Sequence, residues 1–167
     1  MFKVRLIEES NWPDVWQILE PVFRAGETYP YPMDISEQEA HQNWIASPAA
    51  TYVVVDENKK ILGTYHIKPN QPGLGSHVCN CGYVVAENAR GQGVASEMCK
   101  HSQTQAQAMG FTAMQYNLVV STNKGAVRLW RNQGFEIVGT LPEAFQHAKL
   151  GFVDAFVMYK QLTAASD

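Results

Sequence analysis

Residues 82–95, Gly82-Tyr83-Val84-Val85-Ala86-Glu87-Asn88-Ala89-Arg90-Gly91-Gln92-Gly93-Val94-Ala95, leave this chain few ways to fold. Tyr83 to Val85 is aromatic and β-branched and predicts a strand. Gly91 and Gly93 then allow positive φ and close approach of another molecule to the backbone. From Val94 the pattern predicts a helix running to Met109, with Gly110 as its stop. A strand that turns on two glycines into a helix aims successive N–H groups at one spot, where the helix dipole adds partial positive charge. Such a turn suits a phosphate or pyrophosphate, and Arg90 at its mouth adds a full charge. The competing reading is a tight strand–helix connection with no ligand. A dinucleotide fingerprint would need a third glycine where Ser96 and Glu97 stand, and no Gly-Lys-Ser/Thr loop is present.

A chain of 167 residues fits one domain, taken as residues 1–162 with a tail at 163–167. At this length about 70% of the unfolded surface is buried, enough for one core without staples. The net charge of −3 and the lack of a basic run argue against a nucleic-acid partner. Three cysteines, an odd number, suggest reduced thiols in a cytoplasmic protein, and Cys79-x-Cys81 lacks zinc-ligand spacing, so no metal is expected. No apolar run approaches the length of a membrane span, and no leader-like pattern precedes Phe2, so no membrane association is expected.

Alternation predicts a strand over 2–7, with Phe2, Val4 and Leu6 on one side. Ser10 or Asn11 then caps a helix that tolerates Pro13 in its first turn, buries Val15, Ile18, Leu19, Val22 and Phe23, and ends at Gly26. Ser36-Glu37-Gln38-Glu39 is a capping box for a short helix with Ala40, Trp44 and Ile45 inward. Strands follow over 51–55, 60–67, 77–85 and 111–120, and Asn123 caps a helix to about Gln133. The last strands are predicted at 136–140 and 152–160, joined by a loop over 141–151. The order β-α-α-β-β-β-α-β-α-β-β fits a mixed α/β fold, a sheet flanked by about four helices.

Two motifs at a set distance carry a resemblance to the GNAT family of acyl-CoA N-acyltransferases. Arg90, Gly93 and Ala95 match Gln/Arg-x-x-Gly-x-Gly/Ala. Asn123, Ala126, Leu129, Gly134 and Phe135 match Asn-x-x-Ala-x-x-Leu-Tyr-x-x-x-Gly-Phe. Trp130 departs from the family's tyrosine, which serves as general acid toward the leaving thiolate. The resemblance spans nearly the whole chain. It implies a central, mostly antiparallel mixed sheet splayed into a V-shaped cleft for acetyl-CoA, and it carries a family-level expectation of a homodimer. It places the pyrophosphate against Arg90, Gly91, Gln92, Gly93, Val94, Ala95 and Ser96. It assigns thioester polarisation to the backbone near Val84 and pantetheine alignment to Val85, and it puts Asn123, Trp130 and Arg131 near the cofactor. Each assignment has a plainer competitor: strand core for Val84 and Val85, a helix cap for Asn123, core packing for Trp130, and a solvated helix charge for Arg131 or Arg128.

Acyl transfer from a thioester needs a neutral amine, a polarised carbonyl, donors for the oxyanion and a proton for the thiolate. Many family members carry a glutamate on the central strand as base. Here His77, Cys79, Asn80 and Cys81 stand there. Neutralising a lysine-like amine at pH 7 costs about 4–5 kcal/mol, a peptide α-amine only about 1. Glu27 is a candidate base or a structural loop residue; His77 is a candidate titrating group or a bystander; Tyr116 is a candidate replacement acid. Asn80, Asn117 and Asn123 resemble the asparagines of fungal N-acetyltransferases that act on proline analogues, which places Asn80 and Asn117 on the acceptor. The alternative is that both satisfy nearby backbone at bulges. The loop from Glu27 to Met33, with Tyr29 and Tyr31, resembles the acceptor loop of phosphinothricin-type enzymes; its alternative is apolar cover over the first helix. The expected function is transfer of acetyl to a small-molecule amine such as an amino acid. The rivals are protein N-terminal acetylation and a non-catalytic acyl-CoA sensor.

Overall fold

A computed structural model describes residues 1–162; the tail predicted at 163–167 lies outside the described residues. The elements run β1 (Lys3–Leu6), α1 (Trp12–Ala25), α2 (Glu37–His41), β2 (Ala50–Val55), β3 (Ile61–Pro69), β4 (Val78–Val85), α3 (Val94–Ala108), β5 (Ala113–Val120), α4 (Lys124–Asn132), β6 (Glu136–His147) and β7 (Gly151–Gln161). This is the predicted order. The seven strands form one sheet in the order β1-β2-β3-β4-β5-β7-β6. Only β4 and β5 run parallel, and they pair through just Val78–Ala113 and Cys79–Met114 before they part. By contrast β3 and β4 stay paired from Gly63–Val85 to Pro69–Cys79. The sheet therefore forks beyond Cys79, giving the predicted V.

Helices α1 and α2 cover one face, where Val15, Leu19, Phe23 and Trp44 meet Val53, Val55, Ile61 and Val84. Trp44 is fully buried, and its indole N–H donates to Thr64 Oγ1 at 3.1 Å, as a buried indole requires. The other face holds Tyr65, Ile67, Met98, Met114 and Trp130. The capping box forms as read: Ser36 Oγ accepts from the Glu39 N–H at 3.2 Å and the Glu39 carboxylate accepts from the Ser36 N–H at 2.9 Å.

Three expectations are corrected. Asn11 sits at the N-cap of α1 without capping it, because its Oδ1 accepts from the Glu8 N–H and from Arg5 Nη1 instead. Leu6, read on the same side as Val4, is 59% exposed at the end of edge strand β1. The strand predicted to stop at Thr140 continues to His147, leaving only residues 148–150 as the turn. Pro142 and Glu143 read as loop, yet the edge strand absorbs them in a bulge between Leu141 and Phe145, where a missing ladder donor does no harm. Glu143 takes φ +50° there.

Candidate active site

The fork exposes one edge of β4. The Ala86 N–H donates to the Leu62 carbonyl and the Asn70 N–H to the Val78 carbonyl, both at 2.8 Å. These bonds fix the parity of the ladder: main-chain groups of residues 78, 80, 82, 84 and 86 face β3, and those of Cys81, Tyr83 and Val85 face the gap. Of the polarising backbone expected near Val84, the main-chain groups of Val84 itself are thus turned toward β3, and its side chain is buried against α1. The open main-chain groups belong to its neighbours, Tyr83 and Val85. Part of that edge is already used, since the Tyr29 hydroxyl donates to the Tyr83 carbonyl at 2.9 Å.

A cleft of about 1650 Å³ fills the fork. One wall is β4, the other is residues 116–120 of β5, and α1, the loop at 27–31 and the first residues of α3 and α4 close its margins. At the α3 end, Gly91 has φ +74° and Gly93 φ +85°, and neither has anything within 4 Å of where a Cβ would sit. Gly93 is the N-cap of α3 and no side chain caps the helix. The N–H groups of Val94, Ala95 and Ser96 therefore point outward with the helix dipole behind them. Arg90 is exposed beside them and lines the cleft. An uncapped helix end, left-handed glycines and open space fit a pyrophosphate. Gln92 Nε2 donates to the Asn88 carbonyl at 3.0 Å, so its amide braces the turn. Ser96 Oγ accepts from Gln133 Nε2 at 3.0 Å, which ties the start of α3 to the end of α4.

The expected asparagines are only partly brought together. Asn80 and Asn117 both line the cleft. Asn80 Nδ2 donates to the Gln115 carbonyl at 2.9 Å and so bridges the strands where their ladder has just ended. Asn117 is exposed on the bulge of β5; its Oδ1 accepts from Gln115 Nε2 at 2.9 Å and its Nδ2 donates to Asn70 Oδ1 at 2.7 Å. Asn123 caps α4, accepting from the Ala126 N–H at 3.3 Å, while lining the cleft. The backbone-satisfying and capping alternatives are realised at Asn80 and Asn123.

On α4, Ala126, Leu129 and Trp130 face the cleft, whereas Arg128 and Arg131 line a separate hollow with Lys124 and Phe156. Helical periodicity thereby turns Arg131, expected near the cofactor, to a different side of α4 from Ala126 and Trp130. Trp130 is buried between Tyr83 and Tyr116, with ring centroids 4.9 and 5.1 Å away. The Tyr83 hydroxyl is 2.9 Å from that of Tyr116 and 2.7 Å from Ser102 Oγ. Burial raises the pKa of both tyrosines above the ordinary phenol value, so both hold their protons.

At the other margin, Tyr29 and Tyr31 stack at 6.0 Å with planes 4° apart, and both contact Phe23 edge-on. Both rings line the cleft, and both cover Phe23 of α1. Burial raises the pKa of both hydroxyls. Glu27 pairs with Lys149 at 2.6 Å, and that bond holds its carboxyl below the usual range. A carboxylate so held is a weak base. His77 is exposed and lies outside the cleft lining.

Sequence reasoning missed His66 and Lys68 on β3, which line the cleft with Gly82. The available signal was a histidine inside the apolar run from Ile61 to Ile67, a buried polar group in need of a purpose. Among the described residues no cluster suits a metal ion, and no helix is long and apolar enough to cross a membrane. All three cysteines are free and buried.

A sequence model of the acetyltransferase (GNAT) family matches residues 12–135. The chain is similar to a GCN5-related N-acetyltransferase from Kribbella flavida: 38% identity, TM-score 0.91, covering 96% of this chain and 97% of that one. It is 28% identical over 158 residues to the N-acetyltransferase aca1 of Schizosaccharomyces pombe, 85% of this chain and 76% of that protein. A phosphinothricin acetyltransferase from Sinorhizobium meliloti, solved in complex with AcCoA, shares the fold with TM-score 0.85 at 17% identity, over 99% of this chain and 92% of that one.

Proposed function

Since the chain belongs to the GNAT family of acetyl-CoA-dependent N-acetyltransferases, we propose that its acceptor is the amine of a small molecule, an amino acid or amino-acid analogue. The observation that supports this reading is the Tyr29–Tyr31 stack, bolted onto β4 by the Tyr29 hydroxyl and lining the cleft with Asn80 and Gly82; in this reading the two rings narrow the acceptor end to a small molecule. The catalytic unit is taken as one domain over residues 1–162, in the cytoplasm, acting without nucleic acid or membrane. A homodimer belongs to the same proposal.

In this reading the uncapped start of α3, from Gly91 to Ser96 with Arg90, holds the pyrophosphate. Asn123, beside α4, lies along the pantetheine path. Main-chain groups freed between Tyr83 and Val85 align that arm and polarise the thioester carbonyl, because rigid donors in a water-poor cleft act on charge as it develops. Bound acetyl-CoA supplies the acetyl group: the amine's N–C bond forms as the C–S bond breaks, and the proton lost by the amine balances the thiol released. Asn80 and Asn117 border the acceptor. No carboxylate stands on β4, so an acceptor with a low amine pKa suits the site. A peptide α-amine is easier to neutralise than a lysine-like amine by about 3–4 kcal/mol; the carboxylate of a free amino acid narrows that difference unless a cation of the site pairs with it.

The test is thiol release from acetyl-CoA across amino acids, proline analogues, polyamines and short peptides at several pH values. Release with small amino acids, rising with pH, is expected. Release only with peptides would overturn the small-acceptor reading. Tight acetyl-CoA binding without any release would favour a sensor, the reading that Trp130 and the missing strand carboxylate support.

A further inference from the structure

On the face of the sheet below Tyr29, β3 and β4 pair Lys68 with Asn80 and His66 with Gly82. Cross-strand partners share a face, so these four residues form two successive rungs at the acceptor margin. We propose that Lys68 and His66 form a subsite that binds a carboxylate of the acceptor; the proposal rests on the amino-acid reading above.

His66 is 3% exposed and its Nδ1 is buried with no hydrogen-bond partner. The opposite nitrogen, Nε2, lies 2.7 Å from where a Cβ on Gly82 would sit, and the Tyr29 hydroxyl lies 3.2 Å from the same point. Glycine at 82 is what leaves room for both polar groups at the cleft wall. An orphaned buried N–H is rarer than an unfilled acceptor, so the ring proton belongs on Nε2, where the cleft can supply a partner. Trp44 holds the ring edge-on at 4.6 Å, which fixes its direction. Burial, with the charge of Lys68 adding to it, lowers the imidazole pKa to about 3. The ring is therefore a neutral donor at neutral pH rather than a base.

Lys68 lines the cleft half-buried, and no carboxylate pairs with it among the described residues. The acid on this margin, Glu27, is already held by Lys149. A cation and a neutral N–H donor on adjacent rungs, with no counter-charge, ask for an anion. Beside them Asn80, whose Nδ2 is committed to Gln115, keeps its Oδ1 free to accept from an amine. Carboxylate on one rung and amine beside Asn80 is the pattern of a small amino acid.

The test compares small amino acids with their primary amides, alanine with alaninamide and proline with prolinamide, in kcat and KM. The wild type should prefer the acids. Lys68→Met should cut the acid-to-amide ratio of kcat/KM by roughly ten- to hundredfold, mostly through KM of the acid, and Lys68→Arg should restore it. His66→Phe should lower the same ratio and His66→Gln should recover part of it; if His66→Phe fails to fold, the Lys68 variants decide. Acid turnover with an unchanged ratio in Lys68→Met would overturn the subsite while leaving the amino-acid reading standing. A wild type that acetylates no carboxylate-bearing amine would overturn both.

Discussion

Single side chains set what the cleft can hold. Gly93 caps α3 at φ +85° with open space around it. Gly93→Asp adds strain and a negative charge where a pyrophosphate is proposed to lie. Acetyl-CoA binding measured by calorimetry should be abolished, whereas Gly93→Asn, which tolerates that φ, should retain part of it; undiminished binding in the aspartate variant would remove the site. Tyr29 makes a different kind of contribution. Its hydroxyl satisfies a carbonyl that lost its strand partner when the sheet forked. Tyr29→Phe keeps the ring stack but orphans that carbonyl, so denaturant unfolding should show a loss of about 1–2 kcal/mol. A variant as stable as the wild type would mean that water replaces the hydroxyl.

Among helices and strands, the chain leaving α1 at Gly26 and Glu27 meets the β6–β7 turn at a margin of the cleft. The contact consists of the Glu27–Lys149 pair and of the Ala148 N–H donating to the Gly26 carbonyl at 2.9 Å. Both side chains are substantially exposed, so the pair contributes little to global stability. Its effect is local. The Glu27 carboxyl is held below its ordinary value by Lys149, so the clasp is complete above the usual carboxylate range and is lost as pH falls through the lowered folded value. Amide exchange at 148–150 should accelerate in Glu27→Gln at neutral pH with the melting temperature nearly unchanged. Exchange rates equal to wild type would assign the contact to the backbone bond alone.

The protein as a cooperative unit reports two further terms. Buried His66 stays neutral in the folded state down to about pH 3, whereas the unfolded chain protonates it near 6.5. Below pH 6.5 unfolding therefore takes up a proton, and stability falls as pH drops, by up to about 1.4 kcal/mol per pH unit, until the folded value is reached. Urea midpoints between pH 7.5 and 5 should fall more steeply for wild type than for His66→Phe; parallel slopes would mean that the imidazole finds water or a partner when charged. Acetyl-CoA at a hundred times its Kd should add about 2.7 kcal/mol, a rise in Tm of roughly 5 to 10 °C. Thermal melts of Gly93→Asp should lack that rise.

Local patterns carried the element order, the glycine turn into α3, the capping box at Ser36 and the Asn123 cap, because each depends on residues within one turn of each other. The same locality makes the paired motifs around Gly93 and Asn123 readable as family motifs, and the chain belongs to that family. Contacts between distant segments decided the rest. The fork arises because β4 and β5 share only two paired positions, and the parity that turns Val84 toward β3 and opens Tyr83 and Val85 follows from bonds to Leu62 and Asn70. A run such as Leu141-Pro142-Glu143 looks like a loop until β7 pairs with it. His66 looked like one polar residue in an apolar strand. Its direction is set by Gly82, Tyr29 and Trp44, three residues from three segments. Backbone propensity and capping act over a few residues and can be read along the chain; hydrogen-bond parity and burial are properties of neighbours that only folding brings together.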